Sequence, residues 1–126
     1  MSFILVPRRG DDLQVNAWSW RPTLELLRSE NVIDSKTCEL MGAQGVGGQA
    51  DAELCQRIAA VIADKLKSMH PGERIRADLT MTADPKKLAQ FGSNEPIDAV
   101  DLYSATYEWL TTFKDFCDRC GGFRVV

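Results

Sequence analysis

Residues 103–126 read YSATYEWLTTFKDFCDRCGGFRVV, and this stretch decides the fold. Placed at about 100° per residue, Tyr103, Tyr107, Trp109, Leu110, Phe113, Phe116, Cys117 and Cys120 fall on one half of a cylinder. Glu108, Thr111, Thr112, Asp115, Asp118 and Arg119 take the other half, and Lys114 lies among the apolar residues with a stem long enough to snorkel. The pattern predicts an amphipathic helix over 103–120 that buries Tyr107, Leu110 and Phe113. Gly121-Gly122 ends it, because glycine accepts the left-handed backbone of a helix C-terminus without strain. Phe123 to Val126 then reads as a short closing strand. Five of the chain's ten aromatic residues sit on this one helix, so it is the expected centre of the core.

Moving outward, Arg74 to Thr82 alternates strictly. Ile75, Ala77, Leu79 and Met81 share one side, and Arg74, Arg76, Asp78, Thr80 and Thr82 the other, which predicts one strand with a solvated polar face. Before it, Leu54, Ile58, Val61, Ile62, Leu66 and Met69 recur at helical spacing and predict a helix over 52–69, capped by Asp51 and closed by His70-Pro71-Gly72. A shorter helix starts at Asp34 or Ser35 and runs to about Met41. Gly42 to Gly48 holds four glycines and reads as a connecting loop. At the other end, Phe3 to Val6 and Leu13 to Trp18 read as a hairpin around Pro7 to Asp12. Trp20-Arg21-Pro22 marks a helix start, where the missing proline N–H costs nothing. Residues 83–100 read as a long loop.

These elements predict an α/β chain of the α+β kind: one domain over 1–126, with three to four helices packed on a small mixed or antiparallel sheet. The 126 residues, 44% hydrophobic and 26% charged, suffice for a packed core. A net charge of −3 argues against a nucleic-acid partner, since phosphate binding needs a basic excess. The short apolar run Phe3 to Val6 argues against a membrane span or an export signal, so the expected location is the cytoplasm.

Four features carry chemistry worth weighing. Cys117-Asp118-Arg119-Cys120 has the spacing of redox sites and zinc knuckles. It falls at a helix C-terminus, where the dipole opposes a thiolate, and no second such pair accompanies it. The simpler reading makes Cys55, Cys117 and Cys120 small core residues, and no cofactor or metal is expected. The glycine loop lacks the lysine and hydroxyl of a phosphate loop. His70, the single histidine, sits in a turn, and Arg9-Gly10-Asp11 is a tripeptide common by chance. Without a catalytic constellation the chain reads as a binding protein sooner than as an enzyme.

The fourth feature is Asn16-Ala17-Trp18-Ser19-Trp20-Arg21-Pro22. Read as an extended segment, Asn16, Trp18 and Trp20 face one way, and Arg21 begins the following helix. Two tryptophans, an amide and a guanidinium suit a pocket or a partner surface. In the simpler alternative the tryptophans cover the edge of the core and Arg21 pairs with an acid. This opening, N-x-W-x-W-R-P before a leucine-rich helix, resembles that of a group of small bacterial single-domain proteins. The glycine loop and the closing F-x-x-F-C-x-x-C-G-G-F-R-V resemble that group as well. The resemblance implies an immunity-like or accessory role, with another protein as partner, and assigns no activity to any residue. Three functions follow: protein binding; a small ligand-binding protein or enzyme at the Asn16, Trp18, Trp20 and Arg21 corner; or zinc or redox chemistry at Cys117 and Cys120.

Overall fold

Among the described residues, four helices begin at side chains that accept a hydrogen bond from the first turn, and three of them follow a strand without a loop. In this computed structural model, which describes residues 2–84 and 102–126, strands β1 (Ser2–Pro7) and β2 (Leu13–Asn16) form the expected hairpin. Helix α1 (Ala17–Ser29) starts on Asn16, and α2 (Ser35–Met41) on Asp34. Strand β3 (Gln49–Asp51) runs into α3 (Ala52–Leu66) through Asp51. Short strands β4 (Arg74–Arg76) and β5 (Met81–Thr82) follow. Then β6 (Ser104–Thr106) enters α4 (Tyr107–Arg119) at Thr106, and β7 (Gly122–Val125) closes the fold. Each cap answers one N–H that the helix cannot satisfy itself.

The class is α+β, as expected, but the strands divide between two antiparallel sheets, ordered β2-β1-β7-β3 and β5-β4-β6. On the larger sheet Phe3, Leu5, Val15, Ala50, Phe123 and Val125 face inward and are buried. Helices α3 and α4 pack closely together, and Leu110, Phe113, Phe116 and Cys117 of α4 meet Cys55, Ile58, Ala59 and Ile62 of α3 within a single hydrophobic cluster. An aromatic chain ties the layers. Trp20 meets Phe113 edge-on at 5.4 Å, Trp109 stacks on Phe113 at 5.6 Å, and Phe123 touches both Phe113 and Phe116.

Several expectations need correction. The predicted strand over 74–82 is a hairpin, β4–β5, that reverses at Ala77 to Thr80. Arg76 N–H donates to the Thr80 carbonyl, Asp78 accepts from the Thr80 N–H and hydroxyl, and Leu79 takes a φ of 71°. A tight reversal preserves the two-residue period, so alternation alone did not reveal it. Arg74 is not solvated. It is 4% exposed, with Nε donating to the Asp84 carbonyl and Nη1 to Ser104 Oγ, each at 3.1 Å, because β4 is the central strand of its sheet. Met81, expected inside, is 39% exposed.

The helix predicted from 103 begins at Tyr107, since Ser104–Thr106 pairs with β4 instead. Tyr107 at its first turn is half-buried, while Leu110 and Phe113 are fully buried. The helix predicted to 69 ends at Leu66, with turns carrying the chain to a buried Met69. The long loop expected over 83–100 lies, from residue 85 on, outside the described residues.

The outer face of the larger sheet presents exposed and half-buried side chains. Its register sets Ile4 between Gln14 and Val126, then Arg124 between Val6 and Gln49, and finally Gly122 between Arg8 and Asp51.

Candidate functional site

The extended reading of Leu13 to Trp18 fails at Asn16. Its Oδ1 accepts from Ser19 N–H at 2.9 Å and starts α1 one turn earlier than Pro22 suggested. Pro22, which the sequence places in the first turn of the helix, lies inside it, since the helix begins at Ala17. The helix tolerates it there, although Pro22 has no N–H to give the Trp18 carbonyl.

Helical geometry therefore separates the four residues of the predicted corner. Asn16 is engaged as the cap. Trp20 is fully buried and donates Nε1–H to the Met41 carbonyl at 2.9 Å, anchoring α1 to the end of α2. Trp18 and Arg21, three apart, share a face of α1. Trp18 is 42% exposed and leans on Tyr103, with ring centroids 4.4 Å apart and planes at 40°. Arg21 is exposed and enters none of the ion pairs among the described residues. Sequence reasoning missed Tyr103 as a surface partner because it was assigned to the core face of a helix.

The CxxC pair is buried. Cys117 and Cys120 meet Cys55 of α3 at the α3–α4 junction, with Cys120 Sγ 3.7 Å from Cys55 Sγ, and all three are at most 2% exposed. Donation from the Cys117 thiol first holds Cys55 below its ordinary value, against the opposing effect of burial. Cys117, the donor, is pushed up by that bond and by burial, and burial pushes Cys120 up to about 11. All four cysteines are free thiols. Among the described residues no group of three His, Cys, Asp or Glu side chains is placed to hold a metal ion. Cys38, on α2, stands apart and is half-buried.

The glycine loop is followed by β3 before α3 begins, and the α3 N-terminus is occupied by its own cap, Asp51 Oδ1, at 2.8 Å from Leu54 N. His70 is exposed and its Nδ1 lies 3.0 Å from Glu73 Oε1. Two depressions have polar linings. One, of about 340 Å³, runs between the α1–α2 turn and α3 and includes Asp34, Asp51, Glu53 and Arg57. The other, of about 130 Å³, lies on the outer sheet face above β7 and includes Arg8, Gln49, Asp51 and Arg124.

No known protein family, curated protein or solved structure matches the chain. Among the described residues no helix is long and apolar enough to cross a membrane.

Proposed function

We propose that this chain is a protein-binding domain that docks through Trp18, Tyr103 and Arg21. The observation that carries the reading is an exposed Trp18 leaning on a half-buried Tyr103, beside a guanidinium that enters no ion pair among the described residues. Aromatic rings and arginine dominate the energetic centres of protein interfaces, since they offer large area and directional donors at little conformational cost. Pro22 adds a second feature, because it removes the N–H that would normally bond the Trp18 carbonyl four residues before it. An immunity-like or accessory role, implied by the resemblance of the opening motif, fits such a surface. The fit is to a partner that presents a carboxylate to Arg21 and an apolar patch to the rings.

A photo-reactive residue placed at position 18 should trap one discrete partner, and the same residue at exposed Arg57 should not. With that partner purified, Trp18→Ala and Arg21→Glu should each raise Kd about thirtyfold or more, the effect of losing an interface anchor. Their melting points should stay near the parent's. Equal trapping at positions 18 and 57, or a Kd unmoved by both substitutions, removes this assignment.

A further inference from the structure

Arginine side chains gather where the end of β1 meets the α4–β7 turn. Arg8 and Arg9 donate their backbone N–H groups to the Gly122 and Cys120 carbonyls, so the chain after β1 continues alongside the turn. Their side chains then lie against its glycines. A Cβ on Gly121 would stand 3.0 Å from the Arg9 guanidinium, and one on Gly122 would stand 3.4 Å from Arg8 Nε. Arg119 packs in the same way on Gly10, 2.9 Å from where a Cβ would be. Arg124 projects from β7 on the outer face, one register step from Arg8. None of these four arginines forms an ion pair among the described residues, in a chain of net charge −3.

Part of this charge has a structural explanation. Arg9 and Arg119 stand at the carbonyl end of α4, where a cation offsets the helix dipole. Arg8 and Arg124 have no such counterpart. They help line a groove of about 130 Å³, together with Phe123 of β7 and with Gln49 and Asp51 of β3. Gly122, next to Phe123, has a φ of 122°, and a Cβ there would stand 3.1 Å from the Ala50 carbonyl.

The geometry points to a binding site for a small phosphate monoester in this groove, held by Arg8 and Arg124. A carboxylate is satisfied by one bidentate arginine, whereas two guanidinium groups lining one groove, neither in an ion pair among the described residues, match a doubly charged oxyanion. Asp51 gives the groove a direction. One of its oxygens caps α3, and the carboxylate as a whole disfavours a second anion at the β3 end. It accepts instead from a hydroxyl or ammonium group on the ligand, with the Gln49 amide between the two ends. The class is therefore a phosphate ester that also carries a hydrogen-bond donor. This site is separate from the proposed docking surface and does not depend on it.

The test is a titration of the isotope-labelled protein, at low ionic strength, with inorganic phosphate, glycerol 3-phosphate and acetate, followed through backbone amide shifts. Expected are saturating shifts confined to 6–9, 49–51 and 122–124, with glycerol 3-phosphate binding tightest and acetate weakest. Arg8→Ser and Arg124→Ser should each raise Kd about tenfold or more, the loss of charge-assisted hydrogen bonds. Asp51→Asn keeps the helix cap, so it should fold normally. It should tighten inorganic phosphate and abolish the advantage of glycerol 3-phosphate. Shifts that rise without saturating, acetate binding as tightly as phosphate, or binding that survives in the Arg8→Ser/Arg124→Ser double variant would each overturn the proposal. Melting curves of the variants separate lost binding from lost folding.

Discussion

Replacing Trp20 with alanine tests the facing of α1, on which the separation of the tryptophans rests. Trp20 is fully buried, so the truncation removes a large apolar side chain and leaves a cavity, at about 3–5 kcal/mol. It also strips the Met41 carbonyl of its donor, about 1–3 kcal/mol if the group stays dry, and deletes an edge contact with Phe113 worth about 0.5–1.5 kcal/mol. These effects overlap at one site, so about 4–5 kcal/mol is expected in total. At roughly 2.1 cal/mol/K of unfolding entropy per residue, that lowers Tm by about 15–19 °C for 126 residues. Trp20→Phe keeps most of the volume and isolates the hydrogen bond, so it should lose about 1–3 kcal/mol. Trp18→Ala should lose at most about 1.5 kcal/mol, the value of its contact with Tyr103. Urea unfolding followed by far-ultraviolet circular dichroism measures all three without relying on tryptophan emission. A Trp18→Ala loss equal to or larger than that of Trp20→Ala would refute the facing of the helix and the surface built on it.

Arg74→Met should cost about 3 kcal/mol in the same urea assay, because it removes a buried charge-bearing donor from Ser104 and the Asp84 carbonyl. Asn16→Ala should lose about 1 kcal/mol of stability and Asn16→Asp almost none, since an aspartate accepts from Ser19 equally well. Stability should also fall in alkali. Cys120 titrates near 9 when unfolded and about 11 when folded, so its thiol favours the native state below pH 9, and that contribution is lost as pH rises through 11. The loss assignable to Cys120 is about 2–3 kcal/mol, read as urea midpoints across that range, and Cys120→Ala should reduce the change without abolishing it, because the Cys117 thiol is raised as well.

The legible parts of this fold were those governed by local chemistry. Asp51 caps α3 where the sequence placed it, Asp34 caps α2 where the sequence offered Asp34 or Ser35, and Gly121 ends α4 with a φ of 68°. The apolar stripe of α4 buried Leu110, Phe113, Phe116 and Cys117 as its spacing required. What local pattern could not reveal was pairing. Ser104–Thr106 became a strand because β4 offered it an edge, and nothing within three residues announces that. The corner at 16–21 was half legible. Its residue types were informative, but Asn16 both ends β2 and caps α1, so Trp18 and Trp20 lie on a helix, with Trp20 inward and Trp18 outside. The arginine gathering was the least visible, since Arg8 and Arg124 are 116 positions apart and meet only through the β1–β7 register.

The thiols at the α3–α4 junction give the protein an internal clock. Cys55, Cys117 and Cys120 are sealed from solvent, while Cys38 on α2 is half-exposed. A small thiol reagent in excess should modify Cys38 first. It reaches the other three only when α3 and α4 part, which makes their labelling a record of how often the native core opens. Because these sulfurs come from both helices, the slow phase should appear as one step that exposes them together. Two neighbouring turns of helix thus hold a built-in reporter on the part of the molecule that also carries the aromatic chain, with no foreign probe inserted.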